Sequence, residues 1–99
     1  GPTDYCLLDT FEPKCNKGDI VVIESALYGR MIPGKCITQQ EGNFGCFADV
    51  RNIVDTHCSG KQHCTLSPLN SKDIVDTKPC PGSGTIAIGY ITVAYKCLP

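Results

Sequence analysis

No stretch of this sequence is apolar for more than a few residues, which excludes both a membrane-spanning helix and a signal-peptide core within it. An excess of one charge is also missing. Nine Lys and Arg stand against ten Asp and Glu, with no basic run. Nucleic acid and direct membrane insertion therefore drop out as partners of this segment. Asn16, Asn43, Asn52 and Asn70 all lack a hydroxyl residue two positions on, so no glycosylation sequon informs location. Catalytic signatures are scarce too. Ser25, His57 and Asp49 make a triad only on paper, because no nucleophile-elbow motif surrounds the serine. Asp73 and Asp76 read as solvated acids, since a domain this small hardly builds the broad cleft a glycosidase pair needs. Gly82-Ser83-Gly84 follows a Cys-Pro loop, not a strand, and so cannot be a phosphate cradle. These absences describe a binding module rather than an enzyme, with no cofactor expected.

What the chain has is cysteine, eight in 99 residues, too many for so short a chain to be incidental. A chain of this length buries only a small core, and cross-links are the usual remedy. The stretch HCSGKQHC, residues 57 to 64, poses the choice sharply, because two cysteines and two histidines in eight positions suit zinc, a reactive thiol pair or a disulfide. Zinc is disfavoured because five residues separate Cys58 from Cys64 and no second tight pair exists. A redox or protease site would need a C-x-x-C pair or a lone activated cysteine. Four disulfides in an extracellular module is the favoured reading, with His57 and His63 as surface neighbours of a staple. Such a module is expected to come from a longer secreted or cell-surface precursor. Gly1-Pro2 matches the remnant left by tag cleavage, so residues 3–99 are read as one domain.

Periodicity gives a coarse outline of the fold. The run IVVIESALY, ending at Tyr28, predicts a strand that enters a turn at Gly29. GTIAIGYITVAYKC carries the strongest strand signal. Ile86 and Ile88 share one parity, and Ile91, Val93 and Tyr95 share the other, so an extra residue is expected near Gly89 as a bulge or tight turn. Pro33-Gly34, Glu41-Gly42-Asn43 and Pro79-Cys80-Pro81-Gly82 mark loops, and residues 47–56 fit either a short helix or a strand. The predicted class is α+β and mainly β: a small disulfide-rich domain with an antiparallel sheet, long loops and one or two short helices.

The residues that carry a family resemblance are the run from Ile23 to Arg30 with its Ala26-Leu27-Tyr28-Gly29-Arg30 element, then Cys36, Cys58-Ser59-Gly60-Lys61-Gln62-His63-Cys64, Lys78-Pro79-Cys80-Pro81-Gly82 and Val93-Ala94-Tyr95-Lys96-Cys97. Together they resemble the sea-urchin-egg-lectin (SUEL) type, or rhamnose-binding lectin, domain, over nearly the whole chain from Cys6 to Cys97. Domains of this kind occur as free egg lectins and as extracellular modules of receptors, including latrophilins and axon-guidance co-receptors. Eight cysteines can pair in roughly a hundred ways. The resemblance implies Cys6 with Cys36, Cys15 with Cys97, Cys46 with Cys80, and Cys58 with Cys64.

Carried over position by position, the resemblance implies an altered sugar site. Leu7 stands where sugar-binding members have Glu after the first cysteine, and an isobutyl group cannot accept a hydrogen bond from a sugar hydroxyl. Asp73 stands for an Asn, Lys78 for the Asp of an Asp-Pro-Cys triplet, and Gly89 for the Lys before a Tyr. Cys80 and Cys97 are farther apart than in the latrophilin pattern, which marks residues 82–88 as carrying an insertion. Tyr28 and Gly84-Thr85 are kept. The candidate ligand contacts are therefore Tyr28, Asp73, Lys78, Gly84, Thr85 and Ile86, with Arg30 bracing a turn and Tyr28 either core or site wall. The expectation is a cell-surface or secreted recognition module that binds an extracellular protein or co-receptor. The alternative is a working lectin for a galactoside, rhamnose or a sulfated glycan met by Lys78 and Lys61.

Overall fold

The structure is a computed structural model that describes residues 1–38 and 41–99, and for Thr85 the backbone alone. Its strands and helices, in chain order, are β1 (Thr3–Tyr5), β2 (Ile20–Arg30), β3 (Cys46–Asp49), α1 (Arg51–Cys58), α2 (Lys72–Val75) and β4 (Tyr90–Leu98). Two tight 3-10 turns, Pro68–Asn70 and Gly84–Ala87, punctuate the loops. The strands form one antiparallel sheet in the order β1-β4-β2-β3, so the two long strands are central and the two short ones form the edges. Edges of three and four residues leave little open backbone for aggregation.

The β-branched start of β2 buries Val21 and Ile23, whereas its second half buries Ala26 and Tyr28 on the opposite parity. The switch is a bulge. The pairing jumps from Ile23↔Tyr95 to Ser25↔Ala94, leaving Glu24 as the extra residue. Two expectations are corrected here. No bulge or hairpin turn arises at Gly89, because Ile86 and Ile88 precede β4 and belong to no strand; the sheet's bulge lies in β2 instead. Nor does β2 turn at Gly29; it runs through to Arg30, pairing Gly29 with Phe47 on one side and Tyr90 on the other.

Residues 47–56, ambiguous between helix and strand, are both in succession: β3 ends at Asp49 and α1 starts at Arg51. The Asp49 carboxylate accepts from the Arg51 N–H (2.9 Å), satisfying one of the open donors of the helix start. Val54 and Cys58, one turn apart, face the sheet. They meet Phe11, Ile23, Leu66, Ile74, Ile91 and Val93 in the core. Full burial of each large side chain contributes about 1.5 to 3 kcal/mol. Tyr5 and Tyr95 flank Phe11 edge-on, with centroids 5.1 and 5.6 Å away.

The disulfides join Cys6 to Cys36, Cys15 to Cys97, Cys46 to Cys80, and Cys58 to Cys64, the four pairs that the resemblance implies. HCSGKQHC is thus a staple at the end of α1. Its loop lies along the start of β2, where Val21 N–H donates to Lys61 O (2.7 Å) and Gly60 N–H to Val21 O (3.0 Å). The Ser59 hydroxyl bonds the Asp55 carboxylate and accepts from Ile23 N–H (3.2 Å).

Candidate binding site

At the end of β2, Arg30 is 2% exposed, in a position that only a fully hydrogen-bonded guanidinium tolerates. Its Nε donates to Asn43 O (3.0 Å), Nη1 to Ile88 O (2.8 Å) and Nη2 to Glu41 O (2.5 Å), and its cation lies 4.8 Å from the centroid of Phe44. One side chain thereby holds the loop at 41–45 against the loop before β4. Two glycines let these loops close. A Cβ on Gly42 would sit 2.8 Å from Ile86 O, and one on Gly82 would sit 2.9 Å from Ile86 Cδ1. A third loop, after β2, is hung on Tyr90, whose hydroxyl accepts from Ile32 N–H (3.1 Å), and on the Cys6–Cys36 bond.

These loops enclose a depression of about 230 Å³ lined by Arg30, Cys36, Ile37, Thr38, Glu41, Ile86 and Ile88. Three isoleucines make its walls apolar, and Thr38 and Glu41 add polar groups. A second depression, of about 510 Å³, lies between α1, the staple and α2, lined by Asn52, Ile53, Thr56, His57, Lys61, Leu66, Ser71 and Asp73. His57 Nε2 is 2.8 Å from Thr65 O, which fixes the ring, and the Thr56 and Ser71 hydroxyls donate to Asn52 O and Ser67 O.

The residues singled out in the sequence are not gathered at one place. Ile86, 36% exposed, lines the first depression, and Asp73 lines the second. Tyr28 is 5% exposed and packs in the core, so it walls neither depression. Burial raises its phenol pKa, opposed by a hydrogen bond from the Gly89 backbone. Gly84 opens the tight turn before β4, and the Thr85 side chain lies outside the described residues. Leu7 is half-buried beside the Pro68–Asn70 turn, its carbonyl accepting from Leu69 N–H (3.2 Å).

Lys78 is exposed and lines neither depression. Its φ of 43° is the only positive value among the described non-glycine residues. That backbone region is costly for a lysine and cheaper for asparagine. Lys78→Asn should therefore raise the unfolding free energy by about 0.5 to 1 kcal/mol, as read by urea denaturation, and an unchanged or lower midpoint would contradict it. Nearby, Asp76 is held below the usual carboxylate range by its hydrogen bond from Lys72, helped by the charges of Lys72 and Lys78.

The paper triad is not assembled either: the Asp49 carboxylate accepts from the Arg51 N–H and the His57 ring is tied to Thr65. Cys58 and Cys64 are bonded to each other, so that stretch offers no thiolate to a metal. Ile37, Thr38 and Glu41 were missed as lining residues, and nothing in their local sequence marks them. Only the glycine at 42 hinted that something packs closely there.

Comparison with known proteins adds an independent line. The family described as "D-galactoside/L-rhamnose binding SUEL lectin domain" matches residues 13–97. The D-galactoside-specific lectin of Heliocidaris crassispina is 34% identical over 91 residues, covering 84% of this chain and 76% of that protein. Adhesion G protein-coupled receptor L1 of Mus musculus and of Homo sapiens are each 30% identical over 91 residues, covering 89% of this chain but 6% of the receptor.

Proposed function

The chain belongs to the D-galactoside/L-rhamnose binding SUEL lectin domain family, and from that premise we propose that it is a non-enzymatic extracellular recognition module whose principal ligand is a protein. Membership carries the lectin fold, and four disulfides suit an oxidising, extracellular setting. The observation that carries the protein reading is the lining of the first depression. Ile37, Ile86 and Ile88 make an apolar socket, two of them from the loop after Cys80. Arg30, the cation in that lining, already donates to three backbone carbonyls. An apolar centre with a polar rim is what a protein contact needs, and Thr38 and Glu41 supply polar groups beside the isoleucines. The site is modular: a disulfide at Cys80 fixes the root of the loop, and small residues at 82–84 let it adapt.

A glycan ligand is the second reading, favoured by Thr38 and Glu41 in the same lining and by the galactoside-specific lectin among the relatives. Heteronuclear NMR titration with rhamnose and with galactose at millimolar concentration separates the two. The protein reading expects no saturable shift at Ile37, Glu41 or Ile88. Each sugar hydroxyl left without an acceptor costs about 1 to 3 kcal/mol, against only about 4 kcal/mol available in a millimolar complex. Saturable shifts there would establish the lectin reading instead. For a partner found among cell-surface ectodomains, Ile86→Glu, Lys78→Asp and shortening of residues 82–85 should each weaken binding while the circular dichroism spectrum stays unchanged. Wild-type affinity in all three variants would place the interface elsewhere.

A further inference from the structure

The stretch HCSGKQHC does more than close a ring, because His57 and Lys61 from it form one wall of the second depression. We propose that this groove is a separate recognition site for an acidic saccharide residue, one carrying a carboxylate or a sulfate beside free hydroxyls. Its volume of about 510 Å³ falls within the roughly 300 to 1,000 Å³ of small-molecule sites, whereas the first depression is smaller.

The lining divides the work. Lys61 joins none of the ion pairs among the described residues, so its ammonium can meet an acid group. Asp73 lines the same groove and accepts from hydroxyls, and the Asn52 amide both donates and accepts. Ile53, only partly buried, offers apolar contact for the C–H face of a ring above the core residue Leu66. A bare anion would be met by Lys61 but repelled by Asp73, and a neutral sugar would satisfy Asp73 but leave Lys61 without its counter-charge. A ligand with both an acid and hydroxyls uses every group.

The wall is also rigid. The Cys58–Cys64 bond, the pairing of Val21 and Gly60 across the loop and the His57 to Thr65 contact hold it against β2. Little ordering is then left for the ligand to impose.

The test is an NMR titration of the intact domain with sialyllactose, with a sulfated lactose, with plain lactose and with inorganic sulfate. The two acidic saccharides should give saturable shifts at Asn52, His57 and Lys61, with lactose weaker by about tenfold or more, the worth of one charge-assisted contact. Lys61→Gln, an exposed change checked by circular dichroism, should bring the acidic saccharides down to the lactose level. Asp73→Ala should weaken the saccharides while strengthening the response to sulfate. Equal shifts from sulfate alone, wild-type affinity in Lys61→Gln, or saccharide shifts confined to Ile37 and Ile88 would each overturn the assignment. This outcome is independent of the first depression, because the two sites share no lining residue.

Discussion

Replacing Cys15 and Cys97 together by alanine is expected to lower the unfolding free energy by about 4 to 5 kcal/mol, against about 2 kcal/mol for the pair Cys58 and Cys64. The difference comes from the unfolded chain. The first bond spans 82 residues and the second spans 6, and the entropy removed by a cross-link grows with the logarithm of the ring. Packing works against the ranking, since Cys58 is fully buried while Cys15 retains slight exposure. Removing a sulfur costs about 1 kcal/mol of lost contact, too little to reverse a difference of about 2 to 3. A small domain has only about 5 to 15 kcal/mol in total, so loss of the long link takes about a quarter or more of it. Urea denaturation of the two double variants measures both numbers. Equal losses, or a larger loss for the short ring, would mean that the chain-spanning link restrains an unfolded ensemble already held compact by the other three.

How far the sequence could be read depended on whether the signal was local. The run from Ile20 to Ile23 is β-branched and alternates against the core, so its strand was legible. The parity change read at Gly89 was no strand feature, because Ile86 and Ile88 lie in the turn before β4, and the change that does occur, at Glu24 in β2, was not read. Alternating isoleucines in a tight turn look like a strand in sequence, and Glu24 looks no different from an ordinary surface acid. Gly29 misled for a similar reason. Glycine after an apolar run predicts a turn when its conformational freedom is assumed to be the point. Here it continues the strand at a φ of 158°, and its lack of a side chain matters as well, because β3 and the residues before β4 press on it from two sides. Tyr28 was undecided from sequence and packs in the core, since after the bulge it shares the inward parity of Ala26.

The depressions were the least legible features because their walls are non-local. Residues 36–38, 41 and 86–88 meet only after two disulfides, the Arg30 guanidinium and the Tyr90 hydroxyl have drawn three loops together. The second groove joins a helix face to a staple and to a turn of helix some twelve residues on. Family resemblance supplied cysteine pairs that spacing alone left open. Asp73 and Ile86, read together from that resemblance, line different depressions.

Gly29→Ala should cost more than about 3 kcal/mol, in a series where Gly34→Ala is nearly neutral and Gly18→Ala costs about 1 to 2 kcal/mol. Gly34 has open space around its position and no unusual φ, so a methyl group there only restricts the unfolded chain. Gly18 also has open space, but its φ of 91° is one that an alanine adopts at a cost. At Gly29 the obstacle is backbone. The new Cβ would sit 2.2 Å from Cys46 O and 2.7 Å from Phe47 Cα, and no flexible side chain can move aside. The reverse face is equally tight, since a Cβ on Gly89 would sit 2.6 Å from Gly29 O. Strand β3 must therefore move away from β2, losing the pairs Gly29↔Phe47 and Arg30↔Cys46. Overpacking alone costs about 1 to 3 kcal/mol. Displacing Arg30 from the carbonyls of Glu41, Asn43 and Ile88 adds the cost of a buried, incompletely bonded cation. The damage should be directional: amides of Ile37, Glu41 and Ile88 shift strongly, while those of Asn52, His57 and Lys61, which line the other groove, stay near their wild-type positions. A Gly29→Ala variant within 1 kcal/mol of wild type, with the first depression undisturbed, would show that β3 yields more easily than its backbone contacts imply.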